Sequence, residues 1–154
     1  MTVLAHGISG NPSNLLARLK AEKNCCILGA NSFWEGVDVI GDALSLIVVV
    51  RLPFWPPNSP VTASRMERIE AEGRSSFAEY SMPQALIRFK QGFGRLIRSE
   101  RDSGVFCVLD RRILEKSYGY RFIRSLPDME RRVGSSKDIA ALLDDWLDRE
   151  QKED

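Results

Sequence analysis

The chain has 154 residues, of which 44% are hydrophobic and 28% are charged, and its net charge is +1. These values are typical of one globular domain and exclude a disordered, collagen-like or coiled-coil chain. No apolar run approaches the roughly 18 residues of a membrane span, and three cysteines, two of them adjacent, favour a reduced cytoplasmic setting over a disulfide framework or a four-ligand zinc site.

The first part of the chain alternates helical and strand-like segments. Ser13 or Asn14 is expected to cap a helix that reaches Glu22. Three nearly continuous apolar runs are found at residues 25–30, 44–51 and 104–109. Runs without strict alternation favour strands that are covered on both faces, as in a parallel sheet. With helical patterns between and after them, the segments predict an α/β domain.

A long excursion separates the second strand from the third. Residues 52–60 contain four prolines and are expected to form an extended loop. A charged helical pattern follows at residues 61–72 and is closed by Gly73. Pro83 then stands at a position where another helix begins well.

The last segment, residues 133–154, predicts an amphipathic helix and an acidic tail. Ser135 or Ser136 is the expected cap, and the helix is expected to reach Arg149. Residues 1–154 as a whole are expected to form a single domain. We expect the helix to pack on the body of that domain through its apolar stripe, which consists of Ile139, Leu142, Leu143, Trp146 and Leu147.

Residues 84–99 predict the helix that has the strongest functional pattern. One side is a stripe expected to be buried, formed by Leu86, Phe89, Phe93 and Leu96. The opposite side is polar, and its members are Gln84, Arg88, Gln91, Arg95 and Arg98. Glycine costs roughly 1 kcal/mol relative to alanine inside a helix, so Gly92 and Gly94 suit a place that a ligand or a backbone approaches closely. Arginine forks suit phosphate oxygens; the alternative is an exposed face that pairs with acidic neighbours.

The net charge conceals an uneven distribution along the chain. Residues 1–83 carry a net charge of −1, residues 84–132 carry +6, and residues 133–154 carry −4. A basic block of this size favours a partner that bears phosphates. A solvated surface that happens to be rich in arginine is an equally good interpretation of the charge alone.

A polar loop directly after the first apolar run is the second candidate. The string SFWEGVD, residues 32–38, follows the expected strand at residues 25–30. In open α/β sheets ligands lie at the carboxyl ends of strands, where Glu35 and Asp38 can accept hydrogen bonds and Gly36 permits close backbone approach. An ordinary turn uses the same residue types, so the loop alone is a weak indication of a nucleotide site.

The two segments together resemble the C-terminal motor domain of the DinG/XPD-like branch of superfamily 2 DNA helicases. QGFGRLIR, residues 91–98, matches the family's motif VI, Q-x-x-G-R-x-x-R, and SFWEGVDV, residues 32–39, is similar to motif V. The flanking strings LPF, MPQA and VLDRR agree as well, so the resemblance covers roughly residues 4–127. It implies a three-layer RecA-like domain of the P-loop NTPase type with a mostly parallel sheet, here expected to lack the N-terminal strand of motif IV.

The resemblance also implies roles for individual residues. Arg95 and Arg98 match the arginines that reach the γ-phosphate of ATP, and Arg98 matches the arginine finger. The full set implied to bind ATP is Glu35, Gly36, Asp38, Gln91, Gly94, Arg95 and Arg98. The branch often has serine immediately before the motif V glutamate, whereas this chain has Trp34 there and Ser32 two places earlier. The candidates for DNA contact are Ser32, Phe54, Trp55, Arg111 and Arg112.

Phe54 and Trp55 have two interpretations, since aromatic side chains in a proline-rich loop either stack on bases or pin the loop to the body. We favour pinning. Arg111 and Arg112 either follow phosphates or are simply solvated. The cysteines lie in expected strands, which favours a place in the core over a metal site, so we expect no metal ligands in this chain.

The sequence contains no phosphate-binding G-x-x-x-x-G-K-[ST] string and no D-E-A-H-like string for magnesium. In the family both belong to a first motor domain, as do the four cysteines of the iron–sulfur cluster that many members carry. The implied cofactor is therefore ATP with Mg²⁺ held by that other domain, with no iron–sulfur cluster here, and the isolated chain is expected to be inactive.

The implied partners are single-stranded DNA and the N-terminal motor domain of the same protein, at the bacterial nucleoid in the cytoplasm and without a membrane. The alternative is a module that binds nucleic acid or another protein through the basic block and has no ATPase activity. Salt-dependent binding of single strands without any effect of nucleotide would favour the alternative.

Overall fold

The computed structural model describes residues 1–22, 24–30, 44–56, 59–99 and 102–153. The strands are β1 (Thr2–Ala5), β2 (Cys25–Leu28), β3 (Leu46–Val49) and β4 (Val105–Val108). The helices are α1 (Pro12–Ala21), α2 (Pro60–Ala71), α3 (Met82–Leu96), α4 (Arg112–Glu115), α5 (Gly119–Arg124) and α6 (Ser136–Glu153). A π-helical turn, Phe77–Ser81, leads directly into α3.

The strands pair in parallel, as the continuous apolar runs predict. β1 pairs with β2 in a register that places Thr2 opposite Cys25. β3 pairs with β4, with Leu46 opposite Val105. Within the described ranges these are two separate two-stranded sheets, and β2, β3 and β4 are shorter than the apolar runs that predicted them. The chain is thus a mixed α/β fold with small parallel sheets, which is consistent with the RecA-like domain that the resemblance implies.

Helix α1 begins two or three residues earlier than the sequence suggested, so the prediction of its cap was wrong. The side-chain oxygen of Asn11 accepts the backbone N–H of Asn14 at 2.9 Å, and Pro12 occupies the first turn. An asparagine cap satisfies a free N–H of the first turn, and proline there loses no helical hydrogen bond. Asn14, which was itself a candidate cap, is the residue whose N–H is capped.

Gly73 ends α2 as predicted. Its φ of +73° lies in the left-handed region, where a side chain would be strained. The Arg74 N–H donates to the Ile69 carbonyl at 3.1 Å and the Gly73 N–H donates to the Glu70 carbonyl at 2.9 Å. These two bonds form a Schellman motif, which satisfies carbonyls at the end of the helix.

The core lies where α3 and α5 pack on the β3–β4 sheet. Its fully buried members are Leu52, Met82, Ala85, Phe89 and Phe122. Phe89 meets Phe106 of β4 edge to face, with ring centroids 5.2 Å apart, and meets Phe122 at 5.1 Å. The predicted apolar stripe of α3 is confirmed, since Phe89, Phe93 and Leu96 are buried and Leu86 packs against the cluster. This packing fixes which side of α3 is available for other contacts.

The other predicted face of α3 needs two corrections. The helix ends at Leu96, so Arg98 does not belong to it. Ile97 is extended, and beyond it the Asp102 carboxylate accepts the backbone N–H groups of Arg98 and Ser99 at 2.7 and 2.8 Å. These bonds favour a turn over another helical turn. Arg88, expected on an exposed face, is only 3% exposed.

Helix α6 begins at the predicted cap. The Ser135 hydroxyl accepts the Asp138 N–H, and the Asp138 carboxylate accepts the Ser135 N–H at 2.7 Å, as in a capping box. Of the predicted stripe, Ile139, Leu142, Leu143 and Trp146 line a cleft of about 650 Å³ together with Phe93 and Phe106. The side chain of Leu147 lies outside the described residues. In the described part of the chain no helix, α6 included, is long and apolar enough to cross a membrane.

Candidate functional site

The motif VI residues lie at the carboxyl end of α3. Gln91 is exposed, and Arg95, one turn later, is half-buried in the last turn of the helix. Residues four apart are neighbours on one face of a helix, so the amide and the guanidinium share a surface. Gly94 is exposed, and a Cβ added there would meet nothing within 4 Å. The backbone at Gly94 is therefore open to a group that comes from outside the domain.

Arg98 lies two residues beyond the helix, on a backbone that Asp102 holds. The two backbone N–H groups of Arg98 and Ser99 lower the pKa of the Asp102 carboxyl, because they stabilise its charged form. The Arg98 side chain itself is exposed. Just before β4, a Cβ at Gly104 would lie 2.6 Å from the Leu96 side chain, so a larger residue there would require Leu96 to shift. The result is an exposed arginine whose backbone N–H is held by Asp102.

The motif V loop lies outside the described residues. This applies to Ser32, Glu35, Gly36 and Asp38, all of which follow β2 in the chain. Their position relative to Arg95 and Arg98 stays a prediction.

Phe54 in the proline-rich loop packs onto the body. Its ring centroid lies 5.8 Å from those of Phe77 and Phe122 and 5.7 Å from that of Tyr118. Arg112 stands over the same ring at 5.6 Å. Aromatic contacts of this kind hold a loop in one place, so the contacts favour pinning over base stacking for Phe54.

Trp55, the next residue, stacks on Arg88 of α3. The guanidinium carbon lies 3.1 Å from the centroid of the Trp55 ring, and the Trp55 side chain is half-buried. Tryptophan offers the best cation–π face among the aromatic residues. The contact joins the loop to the helix that carries motif VI.

Asp110 ties the end of β4 to the start of the loop. Its carboxylate accepts the Leu52 N–H at 2.8 Å and pairs with the Arg112 guanidinium at 2.6 Å. The Asp110 side chain is only 8% exposed, and the hydrogen bonds from Arg112 and from the Leu52 N–H lower its pKa to about 2. Arg112 thus has a structural partner. Arg111 pairs with Glu115 at 2.7 Å but leaves its side chain 85% exposed.

The structure therefore gathers the site residues into two groups. Gln91, Gly94, Arg95 and Arg98 lie at the carboxyl end of α3. The loop at residues 52–56, together with Arg111 and Arg112, lies at the carboxyl ends of β3 and β4, where the Leu109 N–H still donates to the Val49 carbonyl.

Two contacts could not be predicted from the sequence, that of Asp110 with Leu52 and that of Arg88 with Trp55. Both join segments that are distant in the chain, and no periodicity indicates such pairs. The acidic residue in VLDRR directly after a strand was the only available signal for the first.

The described residues contain no group of three or more His, Cys, Asp or Glu side chains that could hold a metal ion. The thiols of Cys25, Cys26 and Cys107 are free, and only Cys107 is buried. The arrangement that can be described thus offers cationic and amide groups to an anion and offers a cation no ligand set.

The helicase C-terminal domain family matches residues 1–129. The chain is 43% identical over 126 residues to the 3'-5' exonuclease DinG of Bacillus subtilis. The aligned segment covers 81% of this chain and 14% of that protein. It is 42% identical over 126 residues to the ATP-dependent DNA helicase YoaA of Escherichia coli, and this segment covers 82% of this chain and 19% of that protein. For the YoaA of Haemophilus influenzae the identity is 38% over 142 residues, covering 92% and 22%.

The chain thus spans less than a quarter of the length of each of these relatives. One relative is named an exonuclease and the other two are named ATP-dependent DNA helicases. What they share with it is the segment that contains both motifs. Because the family match covers most of the sequence, the chain belongs to the helicase C-terminal domain family, in the form found in DinG- and YoaA-type proteins.

Proposed function

We propose that the chain is the second motor domain of an ATP-dependent DNA helicase and acts on ATP that a first motor domain holds. The observation that carries the proposal is motif VI itself, whose eight residues lie at and just beyond the carboxyl end of α3. These eight residues include the amide of Gln91 and the guanidiniums of Arg95 and Arg98. The two domains close on ATP and reopen after its hydrolysis. This cycle moves single-stranded DNA through the motor.

The arginines bind and stabilise the γ-phosphate. An arginine that reaches across a domain interface neutralises charge that spreads over the phosphoryl oxygens in the transition state. Arg98 serves as this finger, Arg95 binds a neighbouring oxygen, and Gln91 orients the two. Gly94 leaves room for the phosphate to approach the helix, since nothing occupies the position of its absent side chain.

Magnesium and the attacking water belong to the other domain in this proposal. The described residues of this chain fit the phosphate and not the metal, because they provide cations and no acidic cluster. When bound by that domain, Mg²⁺ would offset the negative charge of the phosphates. The motif V residues Glu35, Gly36 and Asp38 then connect the nucleotide to DNA.

DNA runs along the carboxyl edge of β3 and β4. Trp55 and the exposed Arg111 stand there. Ser32 of motif V is a further proposed DNA contact. Phe54 and Arg112 contribute by holding the loop, as their contacts with the body suggest.

Replacement of Arg98 tests the proposal. The experiment uses a chimera in which the matching segment of E. coli YoaA is exchanged for this chain, here called the YoaA chimera. Arg98→Ala should lower kcat for DNA-stimulated ATP hydrolysis by about 10³-fold or more, while nucleotide binding changes little because other groups hold the nucleotide. Hydrolysis is measured by phosphate release and binding by fluorescence of a labelled nucleotide.

Arg65→Ala is the matched control, because Arg65 is an exposed helical arginine far from motif VI in the sequence. It should leave kcat within about twofold. Turnover retained by Arg98→Ala would remove Arg98 from the role of finger.

A further inference from the structure

Arg88 is a buried cation in the middle of the motif VI helix. It is 3% exposed, and one of its contacts is with the face of Trp55. The guanidinium carbon of Arg88 lies 3.1 Å from the centroid of the Trp55 ring. Burial of a guanidinium costs solvation free energy that an apolar side chain of similar volume would not lose. Two flat groups face to face fix orientation as well as distance. A residue of this kind suits positioning better than simple filling of the core.

The partner of Arg88 belongs to a loop that is fixed to the body on the N-terminal side of Trp55. There the Leu52 N–H donates to Asp110 at 2.8 Å and Phe54 packs among Phe77 and Phe122. These contacts connect Arg88, through Trp55, to the carboxyl edge of β3 and β4.

Arg88 is also connected to the residues proposed to bind ATP. Gln91 follows it by one turn and Arg95 by two turns of the same continuous helix. At a rise of 1.5 Å per residue, Arg88 and Arg95 are separated by roughly 10 Å along the axis. A helix transmits a shift or rotation along such a distance because its backbone hydrogen bonds link every turn.

We propose that Arg88 is a positioning residue that couples the loop at residues 52–56 to the motif VI helix, so that single-stranded DNA at the loop sets the placement of Gln91 and Arg95. The inference rests on the proposed function and adds to it a route between the two ligands. Arg88 contacts neither of them. Its role is to transmit the position of Trp55.

The YoaA chimera tests the coupling through the ratio of ATP turnover with and without oligodeoxythymidylate. Arg88→Lys keeps the charge and loses the flat face, and it should lower this stimulation about tenfold while turnover without DNA stays within about twofold. A purely structural role would lower both rates together. Arg65→Lys is the control, because Arg65 also stands over a ring, that of Tyr80 at 5.6 Å, but is exposed on α2; it should leave the ratio unchanged.

A second pair of variants keeps the test valid if Arg88→Lys does not fold. Because Trp55 is also proposed to contact DNA, the stimulation is compared at saturating oligodeoxythymidylate. There Trp55→Phe, which keeps an aromatic face, should preserve most of the stimulation, whereas Trp55→Leu, which is apolar without such a face, should lose it about tenfold. Equal stimulation in Phe and Leu variants, or unchanged stimulation in Arg88→Lys, would overturn the coupling while leaving the motor intact. A chimera that hydrolyses no ATP at all would instead overturn the proposed function, and this inference with it.

Discussion

Asp110 shows how one buried carboxylate organises this edge of the fold. It accepts the Leu52 N–H and pairs with Arg112, so it joins the end of β4 to the first residue of the proline-rich loop. Its pKa of about 2 lies below the ordinary value of 3.8 because the native state stabilises the charged form. A group with a lowered folded pKa stabilises the protein above its unfolded pKa, and this contribution is lost as the pH falls through the folded pKa.

Asp110→Asn should reveal this contribution. At pH 7 the free energy of unfolding of the chain should fall by about 2 kcal/mol, the value of a shift of this size. Between about pH 5 and pH 2 the wild-type chain should lose the advantage and the two curves should converge. Urea unfolding followed by circular dichroism across this range measures the difference.

Asp128→Asn is the control, since Asp128 is fully exposed and lies 3.9 Å from its partner Arg131; its effect should be small at every pH. A difference between wild type and Asp110→Asn that stays constant from pH 7 to pH 2 would contradict the assignment.

Helix α3 is the element in which sequence pattern and structure agree on one face and differ on the other. The apolar face follows helical periodicity, so Phe89, Phe93 and Leu96 could be predicted to be buried. The polar face could not be predicted from periodicity alone. Arg88 is covered by Trp55, which belongs to another segment of the chain. Arg98 lies outside the helix, where its own N–H and that of Ser99 donate to the Asp102 carboxylate.

Replacement of Gly94 is expected to change the stability of α3 and the activity of the motor in opposite directions. Gly94→Ala should make the isolated chain more stable by up to about 1 kcal/mol, because alanine is the better helix former and the added Cβ meets nothing. In the YoaA chimera the same methyl group should obstruct the phosphate and lower kcat/KM for ATP at least tenfold. Thermal unfolding and steady-state hydrolysis measure the two effects.

Lys90→Ala provides the comparison, since Lys90 is also exposed on α3 but stands outside the motif. It should leave kcat/KM within about twofold. A Gly94→Ala chimera with full activity would show that no ligand approaches this part of the helix.

At the scale of the whole molecule, the family could be recognised from motifs V and VI and the parallel pairing from the apolar runs, and both are confirmed. The cap of α1 was predicted wrongly, because Asn11, Ser13 and Asn14 all have the chemistry of a cap and only the path of the backbone distinguishes them. The contacts of Asp110 and Arg88 depend on tertiary packing, which no single segment of the sequence encodes.

The proposed function also divides catalysis between domains. In that proposal this chain would supply arginines to a phosphate whose metal and attacking water another domain would hold. The difference between a motor domain and a module that only binds nucleic acid is therefore visible in one quantity, the dependence of ATP turnover on that other domain.

The most direct test is steady-state ATP hydrolysis by the 154-residue chain alone and by the YoaA chimera, each with and without oligodeoxythymidylate. We expect the chain alone to remain at the background rate under both conditions, and the chimera to hydrolyse ATP and to be stimulated by the DNA. Hydrolysis by the chain alone at the rate of the chimera, or an inactive chimera beside an active native YoaA, would contradict the account.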